Sequence, residues 1–231
     1  MVKQIFFDLG LTLVHNDMPH RYQTAFQQIG QDISLSQASR AYHLANKYFM
    51  RERQGALSQK SESVVSDFHR CVCQYLGEES VWKDFSNQLK QMERPVWRCF
   101  DFTLNMLDEL NNMGIKTGLI SNWDLSCRKV LEKNDILSRL NCVVVSEEVG
   151  TEKPDEKIFQ EALRLTGADP SECFYVGDNY YDDYIGSQKV SMPCAIINYQ
   201  GKLGIEEVDC PIVIEQASEV VDLMKKHLMT E

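Results

Sequence analysis

Several side chains able to do chemistry sit where an apolar run stops. Asp8 closes IFF, Ser121 follows TGLI, Asp178 follows FYVG, and Asp182 and Asp183 come shortly after it. Glu147 and Glu148 follow VVVS, with Lys153 a few residues on. A carboxylate such as Asp8 can attack phosphorus and form an aspartyl-phosphate, which divides a hard hydrolysis into two easier steps. The attacking carboxylate and the phosphate are both anions, so their repulsion must be cancelled. Mg2+ does this with oxygen ligands, and Asp8 with Asp178 are the natural ones, Asp182 and Asp183 completing or orienting the shell. Lys153 supplies a compact positive charge beside the nucleophile, Ser121 and the amide of Asn122 supply donors for phosphoryl oxygens, and Thr12 orients the loop. Each residue taken alone reads as a turn, a helix cap or a solvated lysine. It is their joint placement that carries the argument.

That placement needs elements to produce it. Gln4 to Phe7 reads as a buried strand, and further strand candidates are 116–120, 142–145, 173–176, 194–197 and 212–214. Helical stretches lie at 103–113, ending at Gly114, and near 125–135, 155–166 and 181–190. Strand and helix alternating in this way predict an α/β fold, a Rossmann-like parallel sheet with helices on both faces. In such a sheet ligands bind at the carboxyl ends of the strands, which is where these residues fall. Residues 19–94 differ. They carry helical periodicity, as in Ala41, Leu44, Ala45, Tyr48 and Phe49, with turn signals at Gly30, Gly55 and Gly77 and no strand candidate. They predict a small helical bundle inserted after the first strand. The expected division is 1–15 with 95–231 as core, and 16–94 as insert.

Four segments, FFDLGLTLV, GLISN, EKPDEKIF and VGDNYYDD, resemble in order and spacing the four motifs of the haloacid dehalogenase superfamily. The resemblance covers roughly 1–18 and 98–200, and the helical insert resembles that superfamily's first-type cap. It implies a Mg2+-dependent hydrolase of phosphate esters, with Asp8, Thr12, Ser121 and Lys153 as catalytic residues. It implies metal binding by Asp8, the Gly10 carbonyl, Asp178 and Asp183. In such caps a loop near a glycine reads the substrate, which points to Arg51, Arg53 and Gly55 beside Ser121 and Asn122 as substrate-binding residues. His15, Asn16 and Arg21 are candidates for the other side.

One position departs from the pattern. Phosphatases of this superfamily carry Asp-x-Asp in the first motif, the second Asp serving as general acid and base, and here that residue is Gly10. A substitute acid among His15, Asp17, His20 and Glu52, or a good leaving group, would preserve phosphatase activity. Three other readings stay open. A dehalogenase needs no such proton, but it uses no metal and tends to carry Tyr where this chain has Phe159. A phosphonate hydrolase would use a cap lysine, for which Lys47 is the candidate. A non-catalytic protein could keep the fold and its phosphate and metal binding.

Composition narrows the partners. The chain has 231 residues with a formal net charge of −10, which opposes binding to nucleic acid or an anionic membrane surface. No apolar run approaches the roughly 18 residues needed to span a bilayer. The eight cysteines form no C-x2-C pair, so buried free thiols in a reducing cytoplasm are expected, not a zinc site. The partner expected is a small phosphorylated substrate, and the protein is expected to be a monomer or homodimer.

Overall fold

The computed structural model describes residues 1–58 and 61–228, which separate into two compact units. The first holds Met1–His15, Trp97–Lys202 and Glu207–Glu231; the second holds Asn16–Val96 with Leu203–Glu206.

The first unit is built on six parallel strands in the order β5-β4-β1-β6-β7-β8. They are β1 (Gln4–Phe7), β4 (Lys116–Ser121), β5 (Cys142–Val145), β6 (Cys173–Gly177), β7 (Cys194–Ile197) and β8 (Val213–Ile214). A short antiparallel ribbon pairs β2 (Val14–His15) with β3 (Arg98–Cys99). The helices are α5 (Thr103–Asn112), α6 (Cys127–Lys133), α7 (Ser146–Val149), α8 (Glu156–Thr166), α9 (Ile185–Lys189) and α10 (Glu219–Leu228). Central β1 is buried along its whole length, and successive side chains point to opposite faces. Ile5 and Phe7 join Leu107, Leu110, Leu119 and Val176 in one core, while Phe6 joins Ile120, Ile158, Phe159 and Ile196 in the other. Two apolar faces demand the unbroken hydrophobic run that the sequence shows. Gln4 is the exception. Its amide exchanges two 3.1 Å hydrogen bonds with Asn141, which offsets its burial.

The second unit packs four helices in a closed ring, α1 (Met18–Gln28) and α3 (Glu62–Leu76) each against both α2 (Leu35–Glu52) and α4 (Trp82–Gln91). Its core is aromatic, with Phe26 and Phe85 rings 4.5 Å apart and Tyr22 edge-on to Phe85 at 5.2 Å. Burying each such ring stabilises by roughly 1.5–3 kcal/mol. A capping box at Ser34 and Gln37 starts α2, each side chain meeting the other residue's backbone amide. Leu203–Glu206, read with the α/β part from sequence, joins this unit. His43 bonds the Leu203 carbonyl at 2.9 Å, and Gly204 lies against Lys47 and Leu44.

No helix among the described residues is long and apolar enough to cross a membrane. All eight cysteines are free thiols, and all but Cys99 are buried, as expected.

Candidate active site

The strand order reverses at β1. From it the chain runs outward through β4 to β5 on one side and through β6, β7 and β8 on the other. At such a switch point the loops leaving neighbouring strands diverge and open a crevice at their carboxyl ends. Asp8 and Asp178 end the two strands at that point. Phe7 is in register with Val176, and the Asp8 amide donates to the Val176 carbonyl at 2.9 Å.

Lys153 ties the site together. Its ammonium donates to Asp8 Oδ1 at 2.7 Å, to Asp183 Oδ1 at 2.6 Å and to the Tyr175 hydroxyl at 2.9 Å. Those three bonds use all three of its protons. Ser121 Oγ donates to the same Asp8 oxygen at 3.1 Å. The lysine itself is held from behind. Asn122 Nδ2 donates to the Lys153 carbonyl at 2.9 Å, and the Lys153 amide donates to Asn122 Oδ1 at 2.7 Å. The Asn122 side chain therefore grips backbone, which the sequence reading did not anticipate.

Asp183 is completely buried, and the local fold explains how it arrives there. Asn179 caps the segment after β6, its Oδ1 accepting from the amides of Tyr181 and Asp182 at 3.0 and 3.4 Å. Tyr180–Tyr184 then forms one π-helical turn, a form that recurs at functional sites. The turn carries the Asp183 carboxylate back over Gly177, where a Cβ would lie 2.1 Å from Oδ2. Only glycine admits that approach.

The energetics follow from burial. Burial opposes the charge of Lys153, but Asp183 and then Asp8 outweigh it and hold the ammonium well above the ordinary lysine range. Burial pushes the Asp8 carboxyl up against the pull of Lys153, and Asp183 pushes it the same way. Burial, followed by the charge of Asp183, pushes Asp182 up to about 7. Burial and then the charge of Asp183 raise Tyr175 well above its usual value, so it stays a neutral donor. Its hydroxyl also lies 2.9 Å from the Ile120 carbonyl and 3.1 Å from Asp183 Oδ1.

Two of the candidates are engaged in ways the sequence does not indicate. The sequence groups Asp183 with Asp8 and Asp178 as a metal ligand. Here Oδ1 takes Lys153 and Tyr175, and Oδ2 takes the Asn179 amide at 2.9 Å, which makes Asp183 the counter-ion of the lysine. No three His, Cys, Asp or Glu side chains gather as a metal-holding group among the described residues. Thr12 is buried, and its hydroxyl has no hydrogen-bond partner among the described residues. Backbone bonds hold that loop instead: Leu13 and Val14 amides to the Leu9 carbonyl, and the Leu11 amide to Val14.

The remaining candidates are placed as follows. Arg51 ends α2 and bonds Glu52 at 2.8 Å, while Arg53 bonds Asp67 at 3.1 Å and covers the Phe49 ring, with Gly55 in the turn beyond. All of these partners belong to the helical unit. Asp17 pairs with His20 on its surface, and Lys47 is buried on α2. Asn16 Oδ1 and Arg21 Nε are buried and have no hydrogen-bond partner among the described residues. His15 lies in the β2–β3 ribbon against Phe100. Tyr175 is the site residue missed from sequence. A tyrosine within a buried strand signals packing, and only the fold reveals that its hydroxyl meets Lys153. Phe159, where a dehalogenase would carry tyrosine, packs on the Tyr175 ring at 5.4 Å.

Comparison with known proteins gives a consistent result. A family profile described as haloacid dehalogenase-like hydrolase matches residues 5–197. The human haloacid dehalogenase-like hydrolase domain-containing protein 3 is 36% identical over 114 residues, a stretch covering 49% of this chain and 43% of that protein. Glyceraldehyde 3-phosphate phosphatase of Methanothermobacter thermautotrophicus is 26% identical over 203 residues, 86% of each chain. The solved structure of the putative hydrolase YfnB from Bacillus subtilis, bound to magnesium, has the same fold. Its TM-score is 0.60 at 14% identity, covering 97% of this chain and 99% of that one. With its motifs at the strand ends and this profile spanning most of its length, the chain belongs to the haloacid dehalogenase-like hydrolases.

Proposed function

We propose that this hydrolase is a phosphatase that cleaves a small phosphorylated metabolite through an aspartyl-phosphate on Asp8. The observation that carries the reading is the grip on one oxygen of Asp8. Oδ1 accepts from both Lys153 and Ser121 at a strand end beside the switch point, which fixes the carboxylate and points to Oδ2 as the attacking atom. Lys153, with every proton engaged, serves first to orient the nucleophile and to balance its charge. The archaeal relative named as a phosphatase supports the choice among hydrolases.

Mg2+ fits this donor set. Asp8 and Asp178 at adjacent strand ends and the Gly10 carbonyl are hard oxygens, which suit an ion that keeps several of its waters. The charge also calls for it, because the buried Asp8, Asp178 and Asp183 outnumber the ammonium of Lys153 beside them. Bound there, the ion would offset the repulsion between carboxylate and phosphate. The helical unit is then the family's inserted cap, with Arg51, Arg53 and Gly55 as its substrate-reading segment.

The test is hydrolysis of p-nitrophenyl phosphate with and without Mg2+, in the wild type and in Asp8→Asn. Metal-dependent turnover in the wild type, lost in the variant, is expected. Turnover that survives Asp8→Asn would remove the proposed nucleophile. No turnover in the wild type at high enzyme concentration would favour a protein that only binds phosphate.

A further inference from the structure

We propose that the leaving-group side of this site is an aromatic wall made by Trp97 and Trp123 against Gly10, and that the substrate is a phosphate ester of an aromatic hydroxyl. The inference rests on the phosphatase reading above and names the substrate class for it.

Gly10 lies two residues beyond the nucleophile, and a Cβ built on it would sit 3.3 Å from Trp123 Cζ3 and 3.8 and 3.9 Å from two ring atoms of Trp97. The two indoles therefore cover the side of Gly10 on which a side chain would project, Trp123 more tightly than an ordinary contact would allow and Trp97 at van der Waals distance. The two rings meet edge to face, 4.9 Å between centroids at 67°. Each packs one side against the core beneath and keeps part of its surface exposed. Trp123 is anchored on three sides. It directly follows Asn122, its amide bonds Ser146 Oγ at 3.0 Å, and its indole N–H bonds Ser126 Oγ at 3.2 Å. The Trp97 carbonyl is held by Asn134 Nδ2 at 3.2 Å. These are pre-positioned rings whose free surface is apolar and flat, the shape that packs against another aromatic ring.

The chemistry at position 10 points the same way. When Asp8 attacks phosphorus, the bond from phosphorus to the ester oxygen breaks and its electron pair stays on that oxygen. A glycine has no proton to give it. An aliphatic alkoxide, with a pKa near that of water at roughly 15.7, is then a poor leaving group. A phenolic oxygen, with a pKa of about 10, departs as the anion and takes its proton from solvent afterwards. Water then attacks the phosphoryl group on Asp8, inorganic phosphate leaves, and the carboxylate is regenerated. One water is consumed and one phenol and one phosphate are formed, so the cycle balances with no further reactant.

The experiment compares kcat/KM for three substrates with Mg2+: phenyl phosphate, acetyl phosphate and glyceraldehyde 3-phosphate. The first has an aromatic leaving group, the second a good leaving group with no ring, and the third is an aliphatic ester. Each is measured on the wild type and on Trp123→Leu, with thermal melts confirming that the variant folds. The wild type is expected to hydrolyse the aliphatic ester at least about 10²-fold more slowly than phenyl phosphate, the low end of what general acid catalysis contributes. Trp123→Leu is expected to lower kcat/KM for phenyl phosphate, mainly through KM, roughly 3- to 10-fold more than for acetyl phosphate. Glyceraldehyde 3-phosphate turned over as readily as phenyl phosphate overturns the inference while the phosphatase reading stands. An equal effect of Trp123→Leu on the ring-bearing and ring-free substrates overturns it too. No turnover of any of the three overturns the phosphatase reading itself. The comparison of wild-type rates decides even if the variant fails to fold.

Discussion

The two units bury polar side chains in opposite ways. In the α/β unit, Lys153 and Asp183 are buried as charges, with Asp8 beside them, each satisfied by another charge or by a hydroxyl. In the helical unit the two histidines in the interior are held neutral. His69 shares a 2.9 Å hydrogen bond with Ser86, and His43 bonds the Leu203 carbonyl. Its described ion pairs, such as Arg53–Asp67, Arg70–Glu79 and Lys90–Glu62, lie on the surface. Burying a charge is costly unless it is paired and hydrogen-bonded, so a fold accepts it mainly where chemistry needs it. The helical unit also buries one charged side chain among the described residues, Lys47 on α2, but its interior is otherwise neutral. The contrast supports the α/β unit, where buried charges meet one another, as the place of the proposed chemistry.

The comparison breaks most visibly at the nucleophile. Asp8→Asn should lower kcat for p-nitrophenyl phosphate by at least about 10⁴-fold while the melting temperature changes little, since an amide can still accept from Lys153. A residual rate within tenfold of the wild type would mean that the buried charges are structural. Next comes Lys153→Met, which leaves Asp8 and Asp183 buried without their shared cation. Losing one partner of a buried pair typically costs about 3–5 kcal/mol, so denaturant unfolding should shift by that order and activity should be lost with it. An unchanged unfolding midpoint would show that Lys153 is dispensable to the cluster.

Acidification should separate the two units by sign. Burial, reinforced by the charge of Lys90, pushes His69 down to about 4. Burial, with Lys47 and Arg40 opposing the help of Leu203 and Glu206, does the same for His43. Both lie below the ordinary 6.5, so between pH 6.5 and 4 the unfolded chain binds protons that the folded helical unit does not. Stability is full above 6.5, falls through that window and levels off below 4, by about 3 kcal/mol at most for His69. Asp182 is raised, so its protonation favours the folded α/β unit over the same window. Amide exchange without added metal should therefore show α3 and α4 losing protection before β6 as the pH falls from 7 to 4.5. Loss in the reverse order would contradict the assignment. The smallest effect is expected at Arg53→Ala, which removes a half-exposed pair with Asp67. An unfolding change of about 0–1 kcal/mol is expected, and a larger one would mean that its contact with Phe49 contributes packing.

Much of this was legible in the residue order. An apolar run that stops at a carboxylate reads as a strand delivering a functional group, and IFF-Asp8 and FYVG-Asp178 proved to be neighbours across the switch point. The strand expected at 142–145 matches Cys142–Val145, and the helix near 155–166 matches Glu156–Thr166. The helix expected near 181–190 is instead a π turn followed by Ile185–Lys189, because Asn179 caps the backbone and Asp183 must fold back over Gly177. Periodicity carries no information about such a turn.

Sequence by itself determined the alternating architecture, the helical insert and the set of strand-end residues, since each follows from local patterns of burial and charge. Only the tertiary structure decided their partners. It engages both oxygens of Asp183 with Lys153, Tyr175 and the Asn179 amide, brings the Tyr175 hydroxyl to the lysine, and lays two tryptophans on Gly10. The physical reason is distance along the chain. Lys153 meets Asp8 across 145 residues and Tyr175 across 22. Contacts of that separation depend on how strands register and loops turn, and no local pattern of residues encodes them.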